Sequence, residues 1–294
     1  HADALAIDLS VHGVPILVDA GTGAYVGPRR RHFRGTAAHN TVTIDGADSS
    51  EQGTAFTWRS ATGATLHGYA TAADASFTTA SHEGYRRLVD PVRHHRAILR
   101  IAGRYWAVLD ALDAQASHAV SFTWQGAAAI AITPRTPHTF ALQVGDVTLL
   151  AALDPRLEAT IEQRVVSPAY ALEVPAPAIV ASAEITGAAC FCSVFGSTDD
   201  VGTLDVQAVG DGAAWLVRHD HGQDLVAAPH GRTVQLGPVG FDGTVLALLG
   251  GGDPHTIVAA GAGTLQIAGR SYTLGDDDLR IARRATDGTW TMDS

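Results

Sequence analysis

The side chains with the most chemical potential crowd into the first forty-five residues. Asp19 ends the alternating run Val14, Ile16, Val18 and precedes Gly21-Thr22-Gly23. A carboxylate at a strand end beside a glycine-rich turn is either a ligand or active-site group, or a turn cap. His39 stands at the entrance of another alternating strand, Thr41-Val42-Thr43-Ile44, which closes at the turn Asp45-Gly46. Between them, four arginines fall in six residues (Arg29, Arg30, Arg31, Arg34), in a chain of net charge -10. Such a run is either a solvated loop or a local grip on carboxylate or sulfate, which Arg holds bidentately. Three other clusters read as structural. His219-Asp220-His221 has metal-like spacing, but alternation puts both histidines on one face beside a hairpin turn, which predicts a solvated turn. Cys190 and Cys192 point to the same side of a strand, too close in sequence for a relaxed disulfide, and read as buried small hydrophobes. Asp276 to Asp278 lacks the glycine and distal Glu of a calcium loop.

The elements that must position these groups are short strands. Leu5, Ile7, Leu9 and Val11 alternate with smaller or polar residues, and His12-Gly13 separates them from Val14, Ile16 and Val18. This predicts a tight hairpin pairing Val11 with Val14, Leu9 with Ile16 and Ile7 with Val18. Asp19 would then share a face with the even positions. His1 is odd, so the two meet only if the strand starts after Asp3 and the first residues curl over.

Several stretches together resemble the β-sandwich region of the heparinase II/III-like polysaccharide lyases. They are His1-Ala2-Asp3-Ala4-Leu5, Pro15 to Thr22 (PILVDAGT), Phe33 to Val42 (FRGTAAHNTV) and Asp45-Gly46, with His82-Glu83-Gly84-Tyr85, His95-Arg96 and Asp110 further on. The resemblance covers roughly residues 1–125. It implies an N-terminal α/α toroid joined to a β-sandwich, and cleavage of uronate-containing polysaccharide by β-elimination. The family motif His-x-His-x-Asp is entered here at its second histidine, so the chain resembles the C-terminal part of a larger lyase whose main catalytic residues lie on the toroid. The fragment by itself is therefore expected to be inactive, with no catalytic residue of its own. In zinc-containing members the metal is held by residues matching His1, Asp19 and His39. Two imidazoles and a carboxylate are a known zinc set with a fourth position open. The metal's role is left between pinning the first loop and handling substrate, with pinning favoured. Arg30, Arg34 and Asn40 are the expected substrate contacts. The implied partners are an acidic polysaccharide and the toroid, and the implied location is the periplasm, the cell envelope or outside the cell. The competing reading is a non-catalytic carbohydrate-binding or structural β module, which exposed aromatics along a groove would favour.

The remaining chain shows no sustained 3.6-residue period. Short alternating runs separated by Gly and Pro predict an all-β fold, a large antiparallel β-sandwich of two layers with further C-terminal strands. The firmest hairpin is Val92 to Ile101, a Gly103-Arg104 turn, then Tyr105 to Asp110; it sends His94 and His95 to opposite faces. Polar turn residues near Ser197 to Asp200 suggest a sandwich domain over 1–198 and a β-rich region over 199–294, which is either separate or continuous with it. The chain's 294 residues suffice for a sizeable core. Its negative charge argues against general binding to nucleic acid or anionic lipid. No apolar run reaches the length of a membrane span.

Overall fold

Period-two alternation turns into strands almost everywhere in the computed structural model, which describes residues 1–250 and 253–293. The strands build a stack of antiparallel sheets. At its centre is an eight-stranded sheet, in the spatial order Ala131–Pro134, Thr139–Val144, Val147–Leu153, Ala189–Ser197, Tyr105–Asp113, Val92–Ile101, Ala75–Tyr85 and Ala64–Thr71. A four-stranded sheet covers one face, with strands Glu158–Ala169, Leu172–Thr186, Ser117–Gln125 and Val42–Ile44. A seven-stranded sheet running from Leu204–Val209 to Trp290–Met292 covers the other. A second four-stranded sheet, built from strands between Val234 and Leu274, closes the far side. Among the described residues no helix is long and apolar enough to cross a membrane.

The central sheet is apolar on both faces because both are buried. Along Ala189–Ser197, Phe191 and Phe195 enter one core with Phe122, Trp124, Ile179, Leu112 and Leu142. Cys192 and Val194 enter the other with Leu99, Leu109, Trp215, Val217 and Val258. Cys190 packs against that second core too, so the two thiols share a side as alternation requires, and both are free. Edge-to-face pairs tie the sandwich together, Trp124 with Phe195 at 4.9 Å and Phe122 with Phe191 at 5.2 Å.

The second core crosses residue 198. Leu204, Val206 and Trp215 lie in the same apolar cluster as Leu99 and Leu109. Polar ties cross as well: Trp215 Nε1 donates to Asp154 at 2.6 Å and Tyr105 OH donates to Asp224 at 3.1 Å. At the junction Ser197 Oγ accepts from the Asp199 amide and starts the short helix Thr198–Val201.

The structure departs from the sequence expectations at three places. In the opening hairpin, Leu9–Val11 and Val14–Leu17, Val11 faces Val14 as expected, but a bulge pairs Leu9 with Leu17 instead of Ile16. The turn is of the tight kind, with positive φ at His12 and Gly13. The extra residue of a bulge re-aims everything beyond it, which alternation cannot register. Second, the arginine run is a single helical turn, Arg30–Arg34, formed because Phe33 is fully buried against Ala20 and Ala38. Third, His219 is buried rather than solvated: its Nε2 lies 3.1 Å from Asp224, which also receives Arg104. Asp220 and His221 of that triplet are exposed. The glycine run Gly250-Gly251-Gly252, which by its composition reads as a loop, falls partly outside the described residues, since Gly251 and Gly252 are not among them.

A candidate metal centre beside a basic cleft

The first strand begins only at Leu9, and the eight residues before it curl back over the sheet end. Backbone and hydroxyl groups strap this loop down. The Ala2 amide donates to Arg34 O at 2.8 Å. Thr36 Oγ1 and Ser49 Oγ donate to Ala2 O at 2.7 and 3.1 Å, and Thr41 Oγ1 donates to Ala4 O at 2.9 Å. Leu5 takes a left-handed conformation, φ 62°, and the Ala6 amide closes a turn on Asp3 O. The straps bring His1 over His39, with ring centroids 5.1 Å apart.

His1, Asp3, Asp19 and His39 thus converge, each offering one ligand atom within 4.8 Å of the others. Asp19 is oriented by the Gly21 amide, which donates to Oδ1 at 2.7 Å. Gly21 has φ 80°, and a Cβ there would lie 2.1 Å from Ser167 O, so only glycine lets this turn close against the neighbouring sheet. His39 is fully buried, whereas the Asp19 side chain is 40% exposed. The His39 ring is fixed at both nitrogens: Nε2 lies 3.1 Å from Phe33 O and Nδ1 lies 2.5 Å from Asp19 Oδ2. A carbonyl can only accept, so Nε2 carries the proton. A neutral His39 then turns its Nδ1 lone pair toward a carboxylate oxygen. Two acceptors at that distance need a proton or a cation between them. This donor set, two imidazoles and carboxylates with one ring held by a backbone carbonyl, fits a zinc-class ion. Burial pushes the Asp19 carboxyl up, but with a proton on His39 Nδ1 the hydrogen bond and charge of that ring, together with the Gly21 amide and the N-terminal ammonium, outweigh it and hold it below its usual range. The nearby Asp8 goes the other way, raised by burial and by the charge of Asp19.

Beneath the centre lies a buried ion network. Arg96 grips Asp110 through Nε at 2.7 Å and a terminal nitrogen at 3.0 Å, and His94 Nε2 lies 2.6 Å from the same carboxylate. The remaining terminal nitrogen of Arg96 donates to Leu5 O at 2.8 Å and Asn40 O at 2.7 Å. The guanidinium therefore holds both the curled loop and the residue after His39.

The expected substrate contacts are placed differently from one another. Arg34 is buried, donates to Thr54 O at 2.8 Å and Thr57 O at 3.2 Å, and stacks 4.0 Å from the Trp58 ring. Asn40 is fully buried, donating to Ile7 O and Val18 O and accepting from the Gln125 amide. Both hold the loop assembly together. Arg30 is half-buried, with Nε on Ala55 O and its guanidinium over Tyr25. The residues that face an open cleft are others. Arg29, His32 and Arg164 line about 610 Å³ of it, with Ala37, Glu162 and Gln163. Burial and the charges of Arg164 and Arg29 lower the His32 pKa. Two of these cations already have carboxylate neighbours, Glu173 at 2.9 Å from Arg29 and Glu162 at 3.0 Å from Arg164. Tyr25 and Tyr170 stand exposed nearby, centroids 5.3 Å apart. Sequence reasoning passed over Asp3, which carried the signal of sitting two residues from His1. It also passed over Arg164, which carried none, being far along the chain on another strand.

The family model for the heparinase II/III-like C-terminal region matches residues 1–235. The chain belongs to that family. No curated protein sequence matches it. Among solved structures, the chain is similar to the heparan sulfate lyase HepC from Pedobacter heparinus, with 19% identity and TM-score 0.64 over 78% of this chain and 37% of that one. It is also similar to a heparinase III gene product, with 16% identity and TM-score 0.61 over 76% of this chain and 36% of that one. At such identities the likeness is one of fold: these family members share the stacked antiparallel sheets. The chain spans well under half the length of the solved structures it matches.

Proposed function

We propose that this chain is the β-sandwich portion of a polysaccharide lyase that cleaves uronate-containing acidic polysaccharide by β-elimination, working with an N-terminal α/α toroid of the same full-length protein. In that reaction a base takes the C5 proton of the uronate. The electron pair forms the C4=C5 double bond, and the C4–O bond breaks as the leaving oxygen gains a proton. Neutralising the uronate carboxylate makes the C5 proton acidic enough to remove. On this reading the base and the neutralising group lie mainly on the toroid, and this chain supplies the groove wall. Arg29, His32 and Arg164 meet the polymer's carboxylates or sulfates, and Tyr25 and Tyr170 offer apolar faces to sugar rings. A polymer of this kind is met in the periplasm, at the cell envelope or outside the cell.

The observation that carries the reading is the convergence of His1, Asp19 and His39 in a chain of this family. Together with Asp3 they would hold a zinc ion. That ion would supply a fixed positive charge pinning the curled loop to two strand ends beside the cleft. The first test is metal content of the purified chain by mass spectrometry, beside Asp19→Ala. About one zinc lost in the variant supports the centre; equal metal in both overturns it. Release of unsaturated uronate by this chain alone would overturn the division of labour with a toroid. The exposed Tyr25–Tyr170 pair also suits a purely carbohydrate-binding module, and full-length protein without lyase activity would favour that reading.

A further inference from the structure

A second His–Asp–His cluster lies at the seam between the central sheet and the seven-stranded sheet. His95 and Asp113 come from the adjacent strands Val92–Ile101 and Tyr105–Asp113. His230 comes from the loop after Gly222–Ala227. Both rings turn toward one carboxylate: His230 Nε2 lies 2.5 Å from Asp113 Oδ1, and His95 Nε2 lies 3.2 Å from Asp113 Oδ2. The three ligand atoms fall within 4.8 Å of one another. His95 Nε2 is buried yet makes no hydrogen bond of acceptable geometry, so a nitrogen aimed at the cluster is left unpartnered. His230 sits at φ 46°, a conformation an ordinary side chain adopts only when its surroundings impose it, and here it swings the ring onto Asp113. His95 and His230 line a cleft of about 390 Å³, together with His67, Cys190 and Asp242. The His67 ring stacks on His95 with centroids 6.1 Å apart.

We infer that His95, Asp113 and His230 form a second transition-metal site of the zinc class, separate from the centre at His1, with its fourth position turned to the cleft. Two imidazoles and one carboxylate complete a three-ligand set, and the roomy polar cleft admits water or a ligand oxygen as the fourth. Two ligands belong to the central sheet and the third to the C-terminal region, so the ion locks one layer to the other. The inference stands on its own geometry and does not depend on the lyase reading.

The experiment uses the full chain stripped with chelator, re-equilibrated with zinc and freed of excess. Bound zinc is counted by mass spectrometry and thermal midpoints are recorded with and without zinc. The proteins are wild type, Asp19→Ala, His95→Gln, His230→Gln and Asp19→Ala/His230→Gln, each checked by circular dichroism. The site predicts that His95→Gln and His230→Gln each lose one equivalent. It predicts as well that zinc raises the midpoint of Asp19→Ala but not of the double variant. Unchanged stoichiometry in both histidine variants overturns it. Failure of the first centre reads out separately, as Asp19→Ala keeping the wild-type count. Should a histidine variant unfold, a cobalt titration of Asp19→Ala decides: tetrahedral absorption that grows through one equivalent supports the site, and no such absorption refutes it.

Discussion

Two clusters built on a His–Asp–His set, the first joined by Asp3, occupy this molecule under opposite structural regimes. The one at His1, Asp19 and His39 draws on a short stretch of chain, and its buried ring is fixed by a backbone carbonyl and backed by the Arg96–Asp110–His94 network. The one at His95, Asp113 and His230 spans distant segments, with all three side chains partly exposed. The first is held by the surrounding fold whether or not an ion is bound. The second lies where two layers meet, and its third member reaches it from a loop. An ion would therefore reinforce a loop already strapped down at the first cluster and add more order at the second.

The largest effect that can break this comparison is Arg96→Met. It strands the Asp110 charge in the core and releases Leu5 O and Asn40 O, so unfolding in urea should show a loss of about 3–5 kcal/mol. Metal retention should fall at the first cluster and persist at the second. A loss below about 1 kcal/mol would remove the claim that the network supports the first site.

Next is Asn40→Ala, which leaves two carbonyls and the Gln125 amide without a partner and should cost about 1–3 kcal/mol by the same measurement. It would identify Asn40 as a positioning residue. Unchanged stability with weakened oligosaccharide binding would return it to the substrate surface.

Acid should weaken the support beneath the first cluster. His82 is buried beside His94, and burial followed by the nearby positive charges lowers its pKa to about 3. The unfolded chain takes up a proton on this ring below about pH 6.5, and the folded chain refuses it until about pH 3, so stability is lost as pH falls through that window. Asp110 is fully buried, which raises its pKa, but Arg96 and His94 outweigh this and bring it to about 2, so its contribution is lost below about pH 4. Both signs agree. Urea midpoints between pH 7 and pH 4 should drop, and His82→Gln should flatten the slope by about one proton. An unchanged slope would show that His82 does not carry the effect.

The smallest stability effects belong to the cleft. Arg29→Ala and Arg164→Ala should each change stability by no more than about 0.5–1 kcal/mol, since their ion pairs are partly exposed. Each should still weaken binding of an acidic oligosaccharide severalfold, more at low salt than at high. Equal affinity in the variants would move substrate contact elsewhere.

Much of the fold was legible from alternation, because a sandwich sheet buries residues with the period of two that its pleat imposes. The hairpin Val92–Ile101 and Tyr105–Asp113 formed where the pattern put it, with His94 in the core and His95 on the cleft side. The need for residues before the first strand to curl over came from parity alone, and the strand does start at Leu9. Parity failed at the bulge between Leu9 and Ser10, where the ladder itself changes phase. Type and spacing could not tell a substrate arginine from a structural one: Arg34 and Arg29 are neighbours in sequence, yet the first lies under Trp58 and the second lines an open cleft.

The sequence by itself determined the strand-rich class, because alternation is a local pattern, and its motifs determined the family, whose resemblance implied the candidate ligands in the first forty residues. Only the tertiary structure decided that Asp3 joins them, that Arg164 meets Arg29, that His219 is buried and that His230 reaches Asp113. Contacts between distant segments are fixed by how sheets stack and where loops are strapped, and no local periodicity encodes that.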